Sequence, residues 1–188
     1  MSNILNLTTY LLAPFNLKKW IDGNRHLLKP PVGNQVVYKD AEFIVMIVGG
    51  PNARKEFHYN ESEEFFYQLE GDMQLPIREN GKKRVIDIKE GDIFLLPPKV
   101  EHSPQRFPNT VGLVIERQRQ ANELDACTWY CETCDHELYK ATFQLNDIVD
   151  QLPKLMQSFY DNSSLRTCKK CGTMMDIPTL KTEKTIKQ

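Results

Sequence analysis

From Gln35 to Arg117 the chain is a succession of short runs suited to β-strands: Val36–Lys39, Glu42–Val48, Phe65–Leu69, Gln74–Arg78, Arg84–Ile88, Ile93–Leu96 and Val111–Glu116. Turn-forming groups punctuate them, namely Gly49-Gly50-Pro51-Asn52, Glu70-Gly71-Asp72, Glu79-Asn80-Gly81, Glu90-Gly91-Asp92 and Pro97-Pro98. Strands this short, broken this regularly, cannot be laid out as βαβ units and predict an antiparallel meander or Greek key. Asn80-Gly81 between two runs is a hairpin turn, because both residues tolerate the positive φ such a turn demands. The flanks differ. Phe15, Leu17, Trp20, Ile21 and Leu27 fall at helical spacing and Pro30 and Pro31 end that pattern, while Ile148, Leu152, Leu155, Met156 and Phe159 mark a second helix over Asn146–Tyr160, with Pro153 near its start or at a kink. The expected fold is therefore dominated by β-structure, with a few flanking helices.

At 188 residues, 40% hydrophobic, the chain can bury an ordinary core and is most simply one domain with an appendage. Twenty-four basic residues against twenty-five acidic ones leave a formal net charge of -1, so neither nucleic acid nor an anionic membrane surface is an expected partner. The longest apolar stretches, Phe43–Val48 and Ile93–Leu96, fall far short of the ~20 residues that cross a bilayer. Met1–Asn16 has no basic n-region or small-residue cleavage site and does not read as a signal peptide, which gives a cytoplasmic expectation. Four of the five cysteines form two Cys-x-x-Cys pairs, Cys131/Cys134 and Cys168/Cys171, and this spacing favours a metal site over disulfides. Four thiolates suit zinc or rubredoxin-type iron, and a structural staple is the simpler role than electron transfer. A zinc-ribbon reader of nucleic acid is disfavoured, since only Arg166, Lys169 and Lys170 flank the pairs. Cys127 is expected as a small buried filler. The lysine-bearing tail with Lys181, Lys184 and Lys187 reads as disordered.

A second constellation, His58, Glu64 and His102, lies within the strand-rich part. Two imidazoles and one carboxylate can hold a metal facially while leaving positions for substrate and oxygen. Arg54 precedes His58 by four positions and Arg106 follows His102 by four, an even spacing that in extended chain puts side chains on one face. Two guanidinium groups beside an open metal suit an anionic substrate. Glu116 would be an acid on a core strand, either a partner for an arginine or a substrate-contacting base. The plainer alternatives are a structural histidine, a solvated acidic run of Glu61, Glu63 and Glu64, and surface salt bridges for the two arginines. His26 and His136 have no supporting neighbours, and Phe65-Phe66-Tyr67 is most simply core packing.

Glu64 and Gly71 with six residues between them, then Gly91, Pro97 and His102, resemble the two cupin motifs. Asn60 stands where many cupins carry a second His, and Lys99 where the second motif has Gly. The strings Arg54-x-x-x-His58-x-Asn60-x-x-x-Glu64-Phe65-Phe66-Tyr67-Gln68-Leu69, Pro97-Pro98-x-x-x-His102-Ser103-Pro104-Gln105-Arg106 and Leu113-Val114-Ile115-Glu116-Arg117 are more specific. Together with Trp129-Tyr130-Cys131-x-x-Cys134 and Cys168-x-x-Cys171 they resemble the 3-hydroxyanthranilate 3,4-dioxygenase family, in its bacterial and fungal form with a rubredoxin-like site, over roughly 15–171. The resemblance implies a cupin barrel over 1–120 with its N-terminal helix, a four-cysteine metal lobe over 121–178 and a tail over 179–188. It implies catalytic Fe(II) on His58, Glu64 and His102, with Arg54, Arg106 and Glu116 holding and orienting substrate beside Glu64, and a second Fe or Zn on Cys131, Cys134, Cys168 and Cys171. The implied reaction converts 3-hydroxyanthranilate and O2 into 2-amino-3-carboxymuconate semialdehyde, which closes to the NAD precursor quinolinate, in a homodimer. A cupin dioxygenase for another small anionic aromatic, and a non-catalytic cupin binding a small anion, are the alternatives.

Overall fold

A computed structural model of the protein describes residues 13–30, 33–39 and 41–180, with the backbone of Leu5–Asn6. Most of the leader reading over Met1–Asn16, and the tail reading beyond Leu180, lie outside the described residues. The first half of the chain runs β1 (Leu5–Asn6), α1 (Leu17–Asn24), a 3-10 turn (Arg25–Leu27), β2 (Asn34–Val36), β3 (Tyr38–Lys39), β4 (Phe43–Gly49), β5 (Phe57–Tyr59), β6 (Glu64–Glu70) and β7 (Met73–Glu79). There follow β8 (Lys82–Ile88), β9 (Ile93–Leu96), β10 (Glu101–His102), β11 (Gln105–Arg106), β12 (Val111–Arg117), β13 (Asp125–Tyr130), β14 (Glu137–Phe143), α2 (Ile148–Tyr160) and α3 (Ser163–Arg166). Among the described residues no helix is long and apolar enough to cross a membrane.

Beside a small parallel pairing of β1 with β3, the strands build two larger antiparallel sheets. One has five strands in the order β2-β4-β12-β6-β9; the other has seven, in which β8 lies beside β7, the short β10 and β11 share the next rank, and β5, β13 and β14 follow. Period-two alternation decides what faces inward. On β6 the buried positions are Glu64, Phe66 and Gln68, and on β12 they include Gly112, Val114 and Glu116. Register pairs these directly as Glu64↔Glu116, Phe66↔Val114 and Gln68↔Gly112. The interior is thus a ladder of acids, apolar groups and a Gln/Gly step. Its apolar part, with Ile44, Met46, Val48, Met73, Leu75, Ile77, Ile88 and Leu96, is the main core.

Two further clusters fasten the flanks. Helix α1, capped by Asn16 accepting from the Lys19 N–H, lays Ile21 on Ile47 and Val111 of the outer sheet face. Helix α2 is capped by Asp147, whose carboxylate accepts from the Val149 and Asp150 N–H groups. One side of α2 buries Phe159 in a stack on Trp129, centroids 4.3 Å apart. Truncation Phe159→Ala would open that stack at a cost of about 3–5 kcal/mol.

The runs read from sequence reappear within one or two residues, apart from the first, which divides into β2 and β3, and the α1 region, which is shorter than expected because its last turn tightens into the 3-10 segment. Besides the two-residue β1, five strands carry no sequence signature. β5, β10 and β11 span two or three residues and bear His58, His102 and Arg106 in place of an apolar alternation. β13 is buried on both faces, and β14 alternates weakly. β13 pairs with β5, setting Cys127 opposite His58, so the sheet itself crosses the position 120 boundary.

Candidate metal centre and substrate pocket

His58 and His102 are direct cross-strand partners on β5 and β10, with ring centroids 5.3 Å apart. Glu64 enters from the facing sheet at the first residue of β6. One ligand atom of each lies within 4.8 Å of the others, and all three residues are buried. Hydrogen bonds fix which ring nitrogens are free. The Val100 carbonyl can only accept, so His102 Nδ1 donates to it at 2.9 Å and Nε2 faces Glu64, 3.0 Å from Oε2. The Asp125 carboxylate accepts from His58 Nε2 at 2.7 Å, leaving Nδ1 as the open donor atom of that ring. Burial holds the His58 imidazole below its ordinary range, hence neutral, as a metal ligand must be. Burial opposes the charged form of each, yet the attraction between them, with the Val100 carbonyl adding at His102 and His58 and Arg54 adding at Glu64, leaves His102 raised and Glu64 lowered. An imidazole and a carboxylate aimed at one point favour positive charge there, and a metal cation fits this donor set.

A cavity of about 380 Å³ opens over the three residues. Arg54 and Arg106 line it with His58, Glu64 and His102, while Met46, Phe66 and Val114 supply an apolar wall and Ile148, Leu152, Pro153 and Met156 of α2 border its mouth. The two arginines differ in kind. Arg54 is ion-paired through Nε with the fully buried Glu56, and its Nη2 is buried without a hydrogen-bond partner. Arg106 is 3% exposed and, among the described residues, has no carboxylate within ion-pair distance; its side chain donates to Gln68 Oε1 at 3.1 Å. Burial pushes its guanidinium down to about 10, with Glu64 opposing and Arg54 adding to the fall, so it stays a cation at neutral pH.

A model of the 3-hydroxyanthranilic acid dioxygenase family matches residues 10–160. The chain belongs to this dioxygenase family. It is 51% identical over 168 residues to the 3-hydroxyanthranilate 3,4-dioxygenase of Xanthomonas euvesicatoria pv. vesicatoria (strain 85-10), covering 89% of this chain and 95% of that one. The enzyme of the same name from Bacillus thuringiensis (strain Al Hakam) is 51% identical over 165 residues, or 87% and 92% of the two chains. Among solved structures, a cupin superfamily protein from Desulfitobacterium hafniense DCB-2 aligns over 61% of this chain and 94% of its own, at 14% identity and a TM-score of 0.44.

In this family member Glu116 stands behind the pocket wall and is 2% exposed. Its Oε2 accepts from Arg119 Nη1 at 2.7 Å and from Asn60 Nδ2 at 3.3 Å, and its Oε1 is buried without a partner. Burial and the Glu64 carboxylate push it up to about 7 despite the Arg119 contact. Arg119 also grips Asp125 through Nε and Nη2 at 2.7 and 2.8 Å. A continuous buried chain therefore runs from Asn60 through Glu116, Arg119 and Asp125 to His58. Sequence reading passed over Glu56, Gln68, Arg119 and Asp125. Arg119 sits three residues beyond Glu116, off the strand alternation, and Asp125 begins a strand with no alternation at all. Asn60, the departure from the cupin pattern, is fully buried as a partner of Glu116, and its backbone carbonyl accepts from the Lys99 N–H at 2.9 Å. Lys99 adopts φ 66°, the left-handed conformation that explains why glycine suits this position. His26 and His136 are both exposed.

The four paired cysteines gather at the far end of β13. Cys131 Sγ lies 3.5 Å from Cys171 Sγ and Cys134 Sγ lies 3.6 Å from Cys168 Sγ, all four within 4.8 Å of one another. A tetrahedral ion with metal–sulfur bonds of ~2.3 Å sets sulfurs about 3.8 Å apart, so the cluster fits one and holds no disulfide. The two knuckles are alike: in each, the first Cys carbonyl accepts the N–H four residues on, from Asp135 or Gly172, and its own N–H goes to the carbonyl five residues on. Cys127 is buried and free, and burial pushes its thiol far up.

Proposed function

We propose that the chain cleaves the ring of 3-hydroxyanthranilate with O2, at Fe(II) held by His58 Nδ1, His102 Nε2 and a Glu64 oxygen, to give 2-amino-3-carboxymuconate semialdehyde. The observation that carries this reading is Arg106, a buried cation with no carboxylate of its own among the described residues, facing a cavity that also offers three metal ligands. When bound, Fe(II) supplies open positions and the one-electron chemistry that lets O2 react with a closed-shell ring.

The protein's own groups bind and orient. Arg106 takes the ring carboxylate, and the spare Nη2–H of Arg54 gives it a second donor. Glu116 lies behind the wall with Arg119 and Asn60 on one oxygen, and substrate binding brings its unpartnered Oε1 into contact with the amino or hydroxyl substituent. Phe66, Val114 and Met46 pack the ring, and the α2 side chains at the mouth shed water from it. Asp125 keeps His58 in the tautomer that presents Nδ1. The four cysteines hold a second metal, Fe or Zn, that staples the turn after β13 to the segment after α3 and so fixes α2. The homodimer implied by the resemblance has a candidate face on the outside of the five-stranded sheet, where Phe43, Ile93 and Leu95 are exposed; sedimentation of the intact chain tests it.

The decisive assay loads the protein anaerobically with Fe(II), adds 3-hydroxyanthranilate and air, and follows oxygen with product absorbance. One O2 per substrate, with both atoms in a product that closes to quinolinate, is expected. Full iron loading without oxygen uptake on this substrate, but uptake on another anionic aromatic, would move the assignment to that substrate. Ligand binding without any oxygen uptake would make the chain a binder.

A further inference from the structure

Within that reading, what recognises the carboxylate is not Arg106 alone. We propose that Gln68 and Gly112 are positioning residues that set the carboxylate specificity of the site, by holding Arg106 in place without neutralising it. The two face each other across β6 and β12 as direct register partners, on the inner face of the barrel. Gln68 is 1% exposed and its amide has only one orientation available. The Glu70 carbonyl can only accept, so Nε2 donates to it at 3.2 Å, and Oε1 is turned to Arg106 Nη1 at 3.1 Å. The acceptor offered to the guanidinium is therefore neutral and rigid.

A carboxylate at this position would be a different device. It would meet Arg106 as an ion pair, as Glu56 meets Arg54, and fill the donors that an anionic ligand needs. Gln at position 68 fixes the guanidinium and leaves its charge for the ligand. Gly112 supplies the room. A Cβ there would stand 2.5 Å from Arg106 Nη1, 2.9 Å from Gln68 Oε1 and 3.2 Å from Arg106 Cζ. The atoms struck are the ends of side chains, so a methyl group would displace the guanidinium and leave the strands in place. Arg106, Gln68 and Gly112 thus form one receptor: a cation, its neutral brace and the space it occupies.

The test compares two ligands that share the ortho-aminophenol chelate and differ in the carboxylate, 3-hydroxyanthranilate and 2-aminophenol. Anaerobic calorimetry on the Fe(II)-loaded chain gives affinities, and oxygen uptake gives kcat/KM for each. Wild type should favour the carboxylated ligand by roughly 10- to 150-fold, the range of a charged hydrogen-bonded contact. Gln68→Glu should collapse that preference by loss of 3-hydroxyanthranilate binding, with 2-aminophenol bound as before, and Gly112→Ala should do the same to a smaller degree. Both variants keeping the wild-type preference would overturn the proposal. So would parallel loss of both ligands in both variants, which marks a merely structural role. A wild-type protein that shows no preference, or binds neither ligand, would instead sink the substrate reading on which the proposal rests.

Discussion

The two metal-capable clusters of this chain are built on opposite principles. At the cysteine cluster the donor set is complete, with four sulfurs at tetrahedral spacing, and the nearby charges on Lys55 and Arg78 are paired with Glu132 and Asp135. At the histidine and glutamate site there are three donors and, among the described residues, a buried cation without a carboxylate and buried polar atoms lacking partners on Arg54 and, behind the pocket wall, on Asn60 and Glu116. Unsatisfied buried groups cost stability, so a fold keeps them where a ligand completes them. The saturated cluster is organised to hold the protein together and the unsaturated one to act on something else.

Substitutions should separate the two. His58→Ala should drop oxygen uptake to background yet barely move the melting temperature, because Asp125 keeps both its contacts to Arg119; a melting point that collapses with activity would erase the contrast. Arg119→Met is the next largest effect. It leaves Glu116 and Asp125 without their cation in the core, so chemical denaturation should show a loss of about 3–5 kcal/mol. With the brace on His58 loosened, metal affinity should fall by ~10- to 100-fold. Cys168→Ser acts in the other direction, lowering stability by several kcal/mol on the order of a structural metal's share, while kcat of the folded fraction stays near wild type. Lys99→Gly is the smallest, a gain of up to ~1 kcal/mol from relieving a left-handed lysine, read as a small rise in melting temperature without change in activity.

The same contrast governs how much the sequence discloses. The cysteine pairs are legible because both ligands of each knuckle sit on one local turn. The barrel strands are legible because turn-forming groups such as Gly49-Gly50-Pro51-Asn52, Glu70-Gly71-Asp72 and Asn80-Gly81 bound short β-prone runs. The ligands His58, Glu64 and His102 could be picked out by motif spacing, yet the strands β5 and β10 that carry the histidines could not, since two or three residues give no periodicity. What stayed hidden is the electrostatic division of labour. Arg54 and Arg106 look equivalent by spacing; Glu56, two residues from Arg54, lies within reach of the same even-spacing argument, but only the third dimension brings Gln68 to Arg106. Asp125 and Arg119 were invisible for the same reason, since they meet their partners across a sheet and past a strand end.

The most direct test loads wild type, His58→Ala and Cys168→Ser with Fe(II), measures iron per chain, and records oxygen uptake with 3-hydroxyanthranilate on each. Turnover should follow iron at the histidine and glutamate site alone: Cys168→Ser with about one iron per chain turns over near the wild-type rate, and His58→Ala with a filled cysteine cluster does not. Oxygen uptake that survives in a His58→Ala protein with a filled cysteine cluster would place the chemistry at the cysteines, and uptake that vanishes in a folded, iron-loaded Cys168→Ser would contradict the separation of the two clusters.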